Sequence, residues 1–118
     1  MVRLITRGRF TQSYVKGLIE APEDREAAVK KIMEATGAKL VSFYVTTGES
    51  DFVTIAEADE AESIIAGLMA SAAAGTVTDL ITTRAWSGAE LKAIAAKAST
   101  AAAAYRPRAP APPGPRSR

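Results

Sequence analysis

The segment 39–58, KLVSFYVTTGESDFVTIAEA, constrains the fold of this chain more than any other feature. Two runs rich in Val, Phe, Tyr, Thr and Ile flank the connection TTGES. Such β-branched and aromatic runs, separated by a few turn-forming residues, are typical of an antiparallel hairpin. Gly48 is expected to supply the positive φ that the turn requires.

The residues before the hairpin predict one strand and two helices. Residues 2–9 alternate with period two, which indicates a first strand. Thr11 stands where the N-cap of a first helix is expected, and Pro22 interrupts that helix or restarts it. The second helix carries an apolar stripe and ends at Gly37.

After the hairpin, the patterns predict a helix over 60–73, a strand over 76–85 and a last helix capped by Ser87. The element order is therefore that of an α+β, ferredoxin-like βαββαβ domain with an additional C-terminal helix. We expect a four-stranded antiparallel sheet of order 4-1-3-2 with helices on one face. The other face of the sheet is then expected to be buried by a further protein surface.

Composition divides the chain into a folded domain, residues 1–98, and an Ala/Pro-rich basic tail, residues 99–118, which is predicted to be disordered. The formal net charge is +2, and the tail contains four arginines: Arg106, Arg108, Arg116 and Arg118. Without them the remainder is slightly acidic, so we expect no nucleic-acid partner.

Cysteine and histidine are both absent from the 118 residues. Their absence excludes disulfides, a thiolate nucleophile, a Cys/His zinc site and a histidine-ligated haem. We predict no metal site and no cofactor. No run approaches the roughly 18 apolar residues of a membrane span, and the N-terminus lacks a signal-peptide core, so a cytoplasmic protein without a membrane partner is expected.

Strand alternation predicts one apolar face toward the helices and a mixed face directed away from them. The mixed face consists of Thr6, Tyr44, Phe52, Thr54, Leu80 and Thr82. A face of this composition suits a sheet packed on its own copy in a two-fold dimer, around a cavity that binds a small molecule. A plain dimer interface without a ligand remains equally open, because Thr is also a good strand former.

A second cluster is expected at the rim of the sheet. Antiparallel pairing of strands one and three brings two arginines near two carboxylates of the hairpin connection: Arg7 and Arg9, and Glu49 and Asp51. Tyr44 and Thr46 lie on the adjoining strand. An arginine could hold a substrate carboxylate, or Asp51 could simply cap the hairpin turn and pair with an arginine; the structural interpretation is favoured. Together, the candidate site residues are Thr6, Arg7, Tyr44, Thr46, Asp51, Phe52, Thr54 and Thr82.

Two further side chains are interpreted structurally. Arg25, with the lysines of the second helix, is assigned to a solvated helix face. Tyr14 is interpreted as a packing residue.

Residues 4–91 resemble the GYD-domain proteins, a family of small bacterial proteins. The resemblance rests on FTQSYVKGLIEAPED after the first strand, on ATGAK, on the hairpin FYVTTGESDFVTIAEA and on TTRAWS. The family motif Gly-x-Tyr-Asp falls on residues 48–51, where Ser50 replaces the tyrosine. The resemblance implies a dimeric α+β barrel and specifies no activity; structural relatives include cofactor-independent monooxygenases, haem-dependent chlorite dismutases and small-molecule-sensing domains of transcription regulators.

Three functions are compatible with these observations. The first is a homodimer that binds a small molecule in the cavity between its sheets. The second is a cofactor-independent monooxygenase or isomerase of the same fold, which requires a cavity carboxylate or tyrosine with a strongly shifted pKa. The third is a structural or interaction module without a ligand.

Overall fold

The computed structural model describes residues 1–105, and the chain divides into two units, Met1–Ala85 and the residues from Trp86 onward. The first unit contains β1 (Val2–Phe10), α1 (Gln12–Glu20), α2 (Arg25–Ala35), β2 (Lys39–Val45), β3 (Phe52–Ala58), α3 (Ala61–Ala73) and β4 (Val77–Arg84). The second unit contains α4 (Gly88–Ala104).

The strands form one antiparallel sheet of order β2-β3-β1-β4. This is the predicted order 4-1-3-2 read from the opposite edge, so the predicted α+β fold with a C-terminal helix is confirmed. β1 lies between β3 and β4, and its register with β3 runs from Val2 opposite Ala58 to Gly8 opposite Phe52. Helices α2 and α3 contribute the apolar side chains that complete the core of this unit.

The helix boundaries follow local hydrogen bonding. Thr11 caps α1 as predicted, because its Oγ1 accepts from the Tyr14 backbone N at 3.1 Å. In α2 the helix begins at Arg25, three residues after Pro22, where the side chain of Asp24 accepts from a backbone N–H. This start matters for the site, because it fixes Arg25 in the first turn of α2.

Helix α4 begins as predicted with Ser87, which forms a reciprocal capping box with Glu90. It extends to Ala104, so the predicted start of the tail at residue 99 lies inside the helix. The alanines of 101–104 have the highest intrinsic helix propensity, which explains the extension. The rest of the predicted tail, from residue 106, lies outside the described residues.

The prediction of which sheet face meets the helices is wrong. Thr6, Phe52 and Thr54 lie on the helix-facing side and are buried, with relative exposures of 1%, 3% and 3%. Phe52 and Thr54 face Val29 and Met33 of α2 across a small cavity. The buried part of the predicted mixed face therefore belongs to the core of a single chain and not to a surface that needs a second sheet: Thr6, Phe52 and Thr54. Two other members of that predicted face, Tyr44 and Thr82, are exposed.

Two register shifts explain part of this difference. A shift between Leu40 and Ser42 in β2 places Leu40 opposite Ala56 and Phe43 opposite Thr54. Since Ala56 and Thr54 share a face, Leu40 and Phe43 do so too, although strict alternation separates them.

The second shift lies between Arg7 and Arg9, where β1 pairs with β4. It brings Val77 and Leu80 to the same cavity, whereas strict alternation predicts opposite faces for them. A bulge of this kind cannot be recognised from a period-two pattern, because it interrupts that pattern.

The opposite side of the sheet, here called the open face, consists of two cross-strand rows. The first row is centred on Ile5 opposite Ile55, and the second is Tyr44–Val53–Arg7–Ile81. Tyr44 and Ile81 are each 66% exposed. Of the predicted site residues, Arg7 and Tyr44 therefore belong to this face.

Among the helices of residues 1–105, none has both the length and the apolar character that crossing a membrane requires.

Candidate ligand-binding site

A groove of about 370 Å³ lies between α1, the first turn of α2 and the edge strand β2. Aromatic and aliphatic side chains form its walls, and charged residues from the start of α2 form one end. Its lining consists of Phe10, Tyr14, Leu18, Glu23, Asp24, Arg25, Glu26, Phe43, Tyr44 and Val45. This volume is at the lower end of the roughly 300–1,000 Å³ that small-molecule sites occupy.

A second, smaller space of about 20 Å³ adjoins the groove, between the sheet and helices α2 and α3. The groove and this cavity share three lining residues, Phe10, Arg25 and Phe43. A space of this size accommodates about one water-sized group. The three shared residues therefore form the boundary between an open groove and a small interior cavity.

Four aromatic rings line the two spaces in a continuous series. The ring centroid of Phe10 lies 5.1 Å from that of Tyr14 and 5.2 Å from that of Phe52. Phe43 continues the series, with its centroid 6.2 Å from that of Phe52. These separations are those of favourable aromatic pairs, so the walls of the site are rigid and apolar.

Arg25 is the cationic residue at the boundary between groove and cavity. Its side chain is only 11% exposed, and its guanidinium carbon lies 4.9 Å from the centroid of the Tyr14 ring. One terminal nitrogen donates to Thr76 Oγ1 at 3.1 Å, and the other lies 3.6 Å from Glu23 Oε1. The interpretation of Arg25 as a solvated side chain is therefore wrong.

The Nε atom of Arg25 is buried, and no acceptor among residues 1–105 bonds to it. Burying a donor of a charged group without a partner is unfavourable, and such groups are uncommon in native proteins. No sequence pattern marks this residue, because the inward direction of its side chain depends on where α2 begins. The acidic residues that flank Arg25 in the sequence are exposed: Glu23, Asp24 and Glu26.

Tyr14 hydrogen-bonds to the same cluster, and its hydroxyl donates to Glu23 Oε1 at 3.0 Å. Burial raises the pKa of Tyr14 above its usual 10.0, and the hydrogen bond to Glu23 adds to this, while the charge of Arg25 opposes it. The phenol thus stays protonated at neutral pH and acts as a hydrogen-bond donor. A tyrosine that serves as a general base needs a pKa shifted in the opposite direction.

The predicted site residues separate into three groups. Phe52 and Thr54 line the interior cavity, and Tyr44 lines the groove. Thr6 lies opposite Thr54 in the sheet, and its Oγ1 lies 3.0 Å from Thr82 Oγ1, so these hydroxyls bond to each other.

The third group belongs to the hairpin and the open face. Thr46 donates from Oγ1 to the Ser50 carbonyl at 2.8 Å, which closes the loop. Asp51 accepts from the Phe10 backbone N at 2.9 Å, so its carboxylate connects the loop to the end of β1. Arg7 is exposed on the open face.

A family model for the GYD domain matches residues 4–95. The chain belongs to the GYD-domain family. In this GYD domain residues 48–51 lie in the β2–β3 loop, where Gly48 has the predicted positive φ, 94°. The loop is closed by two hydrogen bonds that Thr46 donates, from its backbone N to the Asp51 carbonyl and from its Oγ1 to the Ser50 carbonyl. This loop therefore shapes the end of the sheet, next to the groove residue Phe10.

Two solved structures are similar to this GYD domain at low sequence identity. One is the crystal structure of FFRP-DM1, with 17% identity, a TM-score of 0.48 and coverage of 73% of this chain and 100% of the other. The other is the crystal structure of TTHA0845 from Thermus thermophilus, with 16% identity, a TM-score of 0.44 and coverage of 75% and 96%. No curated protein matches the GYD domain described here.

Proposed function

We propose that this GYD-domain protein is a homodimer that binds a small molecule in each chain, in the groove between α1, α2 and β2. The observation that carries the proposal is the continuity of the groove with the interior cavity through Phe10, Arg25 and Phe43. Apolar concave sites with a few polar groups at one end are the usual form of small-molecule sites. The position differs from the sequence-based expectation of a ligand between two sheets, because Phe52 and Thr54 face the helices.

The open face supports the homodimer. Ile5 and Ile55 are paired at its centre, and the neighbouring row presents the exposed Tyr44 and Ile81. Sheet faces with large exposed apolar side chains are typical of interaction surfaces. A second copy is the natural occupant, because a two-fold axis through the central pair would place the same apolar side chains against each other.

The polar groups on the open face agree with burial against a copy. Arg3 and Glu57 lie opposite each other beside the central pair, and Arg3 Nε donates to Glu57 Oε2 at 2.9 Å. The two charges are balanced within one chain before any partner binds. Burial of a paired charge costs less than burial of a single one, so the pair is compatible with an interface.

An enzymatic role receives less support. A cofactor-independent oxygenase or isomerase requires a group that exchanges protons near neutral pH. In the groove, the shift in the pKa of Tyr14 is away from neutrality. Binding without chemistry is therefore the function that the geometry favours.

Native mass spectrometry of the protein purified from its own host tests ligand binding. We expect a reproducible additional mass that is released on denaturation. Leu18→Trp, which fills the groove, should abolish this mass. Ile19→Trp places the same ring on the neighbouring residue, which is 76% exposed and outside the groove, and should retain it. No additional mass in the wild-type protein, or equal retention by both variants, would contradict the proposed site.

A further inference from the structure

We propose that the molecule bound in the groove is a small aromatic carboxylate, and that its carboxylate accepts a hydrogen bond from Nε of Arg25. This inference rests on the proposed function and specifies the class of ligand. It combines three features of the site: a buried donor, a cationic group on an apolar wall, and a shape suited to a ring with a short polar end.

The donor is the first feature. A guanidinium has five N–H donors and no acceptor. In Arg25, one terminal nitrogen bonds to Thr76 at 3.1 Å, and the other lies 3.6 Å from Glu23, which is an ion-pair distance rather than a hydrogen bond. Nε is buried with no acceptor among residues 1–105. Because Nε is out of contact with solvent, the Arg25 side chain must shift slightly for a ligand oxygen to reach this atom. The contact would then remove the cost of an unpaired buried donor.

The charge is the second feature. Glu23 is the carboxylate paired with Arg25, and its side chain is 45% exposed, so solvent screens the pair on that side. Asp24 is occupied by the cap of α2, and Glu26 is also exposed. On the inner side the guanidinium borders aromatic and aliphatic walls, where a charge is poorly screened. A carboxylate therefore gains more from this contact than a neutral carbonyl does.

The shape is the third feature. Phe10, Tyr14 and Phe43 provide aromatic walls for the groove, which suits a planar ring. Arg25 lies at the boundary with the cavity of about 20 Å³, where there is space for about one water-sized group. A carboxylate oxygen has this size, whereas a ring does not. The ring is thus expected in the groove, with its carboxylate directed toward Arg25.

Isothermal titration with phenylacetate and phenylacetamide tests the inference, because the two probes match in size and differ in charge. We expect phenylacetate to bind the wild-type protein at least about 10-fold more tightly than phenylacetamide does. A charge-assisted hydrogen bond contributes enough free energy for a difference of this size. Arg25→Gln should reduce this ratio to near one. Lys30→Gln removes one positive charge from the exposed side of the same helix and should leave the ratio unchanged.

Arg25→Lys is the second variant, in case the glutamine variant does not fold. Lysine keeps the positive charge but lacks the planar guanidinium, so we expect the ratio of phenylacetate to phenylacetamide affinity to fall by at least about threefold. Equal binding of both probes to the wild-type protein, with no change in Arg25→Gln, would overturn the carboxylate inference and leave the groove as a site for neutral molecules. If neither probe binds, the carboxylate inference fails; if the mass-spectrometry test also gives no ligand, the proposed function fails with it.

Discussion

Asp51 and Phe10, which are far apart in the chain, are joined by a hydrogen bond of 2.9 Å from the Phe10 backbone N to Asp51 Oδ2. The Asp51 backbone N in turn donates to the Gly8 carbonyl at 2.7 Å. The β2–β3 loop is thereby attached to the end of β1, at the residue whose ring lines both the groove and the cavity. The β2–β3 loop thus contributes to the position of a groove wall.

Replacing Asp51 should therefore destabilise the end of the sheet. Asp51→Ala removes the acceptor and is expected to cost about 1–3 kcal/mol in the free energy of unfolding. Asp51→Asn keeps an acceptor oxygen and should cost less. Urea denaturation measures both values, and Glu49→Ala, at an exposed residue of the same loop, is the control. Equal stability of all three variants would show that the hydrogen bond between Asp51 and Phe10 does not stabilise the fold.

Gly8 allows the close approach of β1 to the core. A Cβ atom at this position would lie 2.7 Å from both Leu80 Cδ2 and Phe52 Cζ. We expect Gly8→Ala to lower the free energy of unfolding by about 1–3 kcal/mol, the usual cost of overpacking. The control is Gly17→Ala in α1, where a Cβ meets no atom within 4 Å.

That control should be neutral or stabilising by up to about 1 kcal/mol, because alanine favours the helix over glycine. Thermal or chemical denaturation should therefore show a loss of stability in Gly8→Ala and none in Gly17→Ala. A Gly8→Ala protein as stable as the wild type would mean that the core has room near Phe52.

The proposed homodimer makes a separate prediction. Ile55→Arg places a charge at the centre of the open face and should raise the dimer dissociation constant by at least about 100-fold. Ile19→Arg introduces the same side chain on the exposed side of α1 and should leave the dimer intact. Sedimentation velocity, with circular dichroism to verify the fold, compares the two. A dimer that persists unchanged in Ile55→Arg excludes this face as the interface.

The pKa of Tyr14 links stability to alkaline pH. Burial, the largest cause, and the hydrogen bond to Glu23 raise this pKa above 10.0, so the folded protein retains the phenol proton at a pH where the unfolded chain loses it. The associated stabilisation is fully present below pH 10 and disappears as the pH rises through the raised pKa of Tyr14.

Ultraviolet titration of tyrosinate measures this effect. In the wild-type protein one tyrosine should ionise above pH 10, and Tyr14→Phe should remove that transition. The variant should also lose less stability than the wild type as the pH increases above 10. A wild-type titration with no late transition would contradict the burial of this phenol.

Local sequence determined the elements and their order. Thr11 and Ser87 mark the start of two helices because their hydroxyls satisfy free backbone N–H groups within three residues. Gly48 marks the hairpin turn because its positive φ is a property of a single residue. The βαββαβ order and the sheet order then follow from a small number of permitted connections.

Only the tertiary structure decided which side of the sheet is buried. Period-two alternation separates Thr54 from Ile55 but does not indicate which of them meets the helices, and both faces contain apolar residues. The bulges in β2 and between β1 and β4 change the alternation further.

The same limit applies to Arg25. Its contacts with Tyr14 and Thr76 join residues distant in sequence. The inward position of Arg25 depends on how the first turn of α2 packs against α1 residues and the sheet. Packing between distant segments, which no local pattern encodes, therefore determines both the open face and the cationic end of the groove.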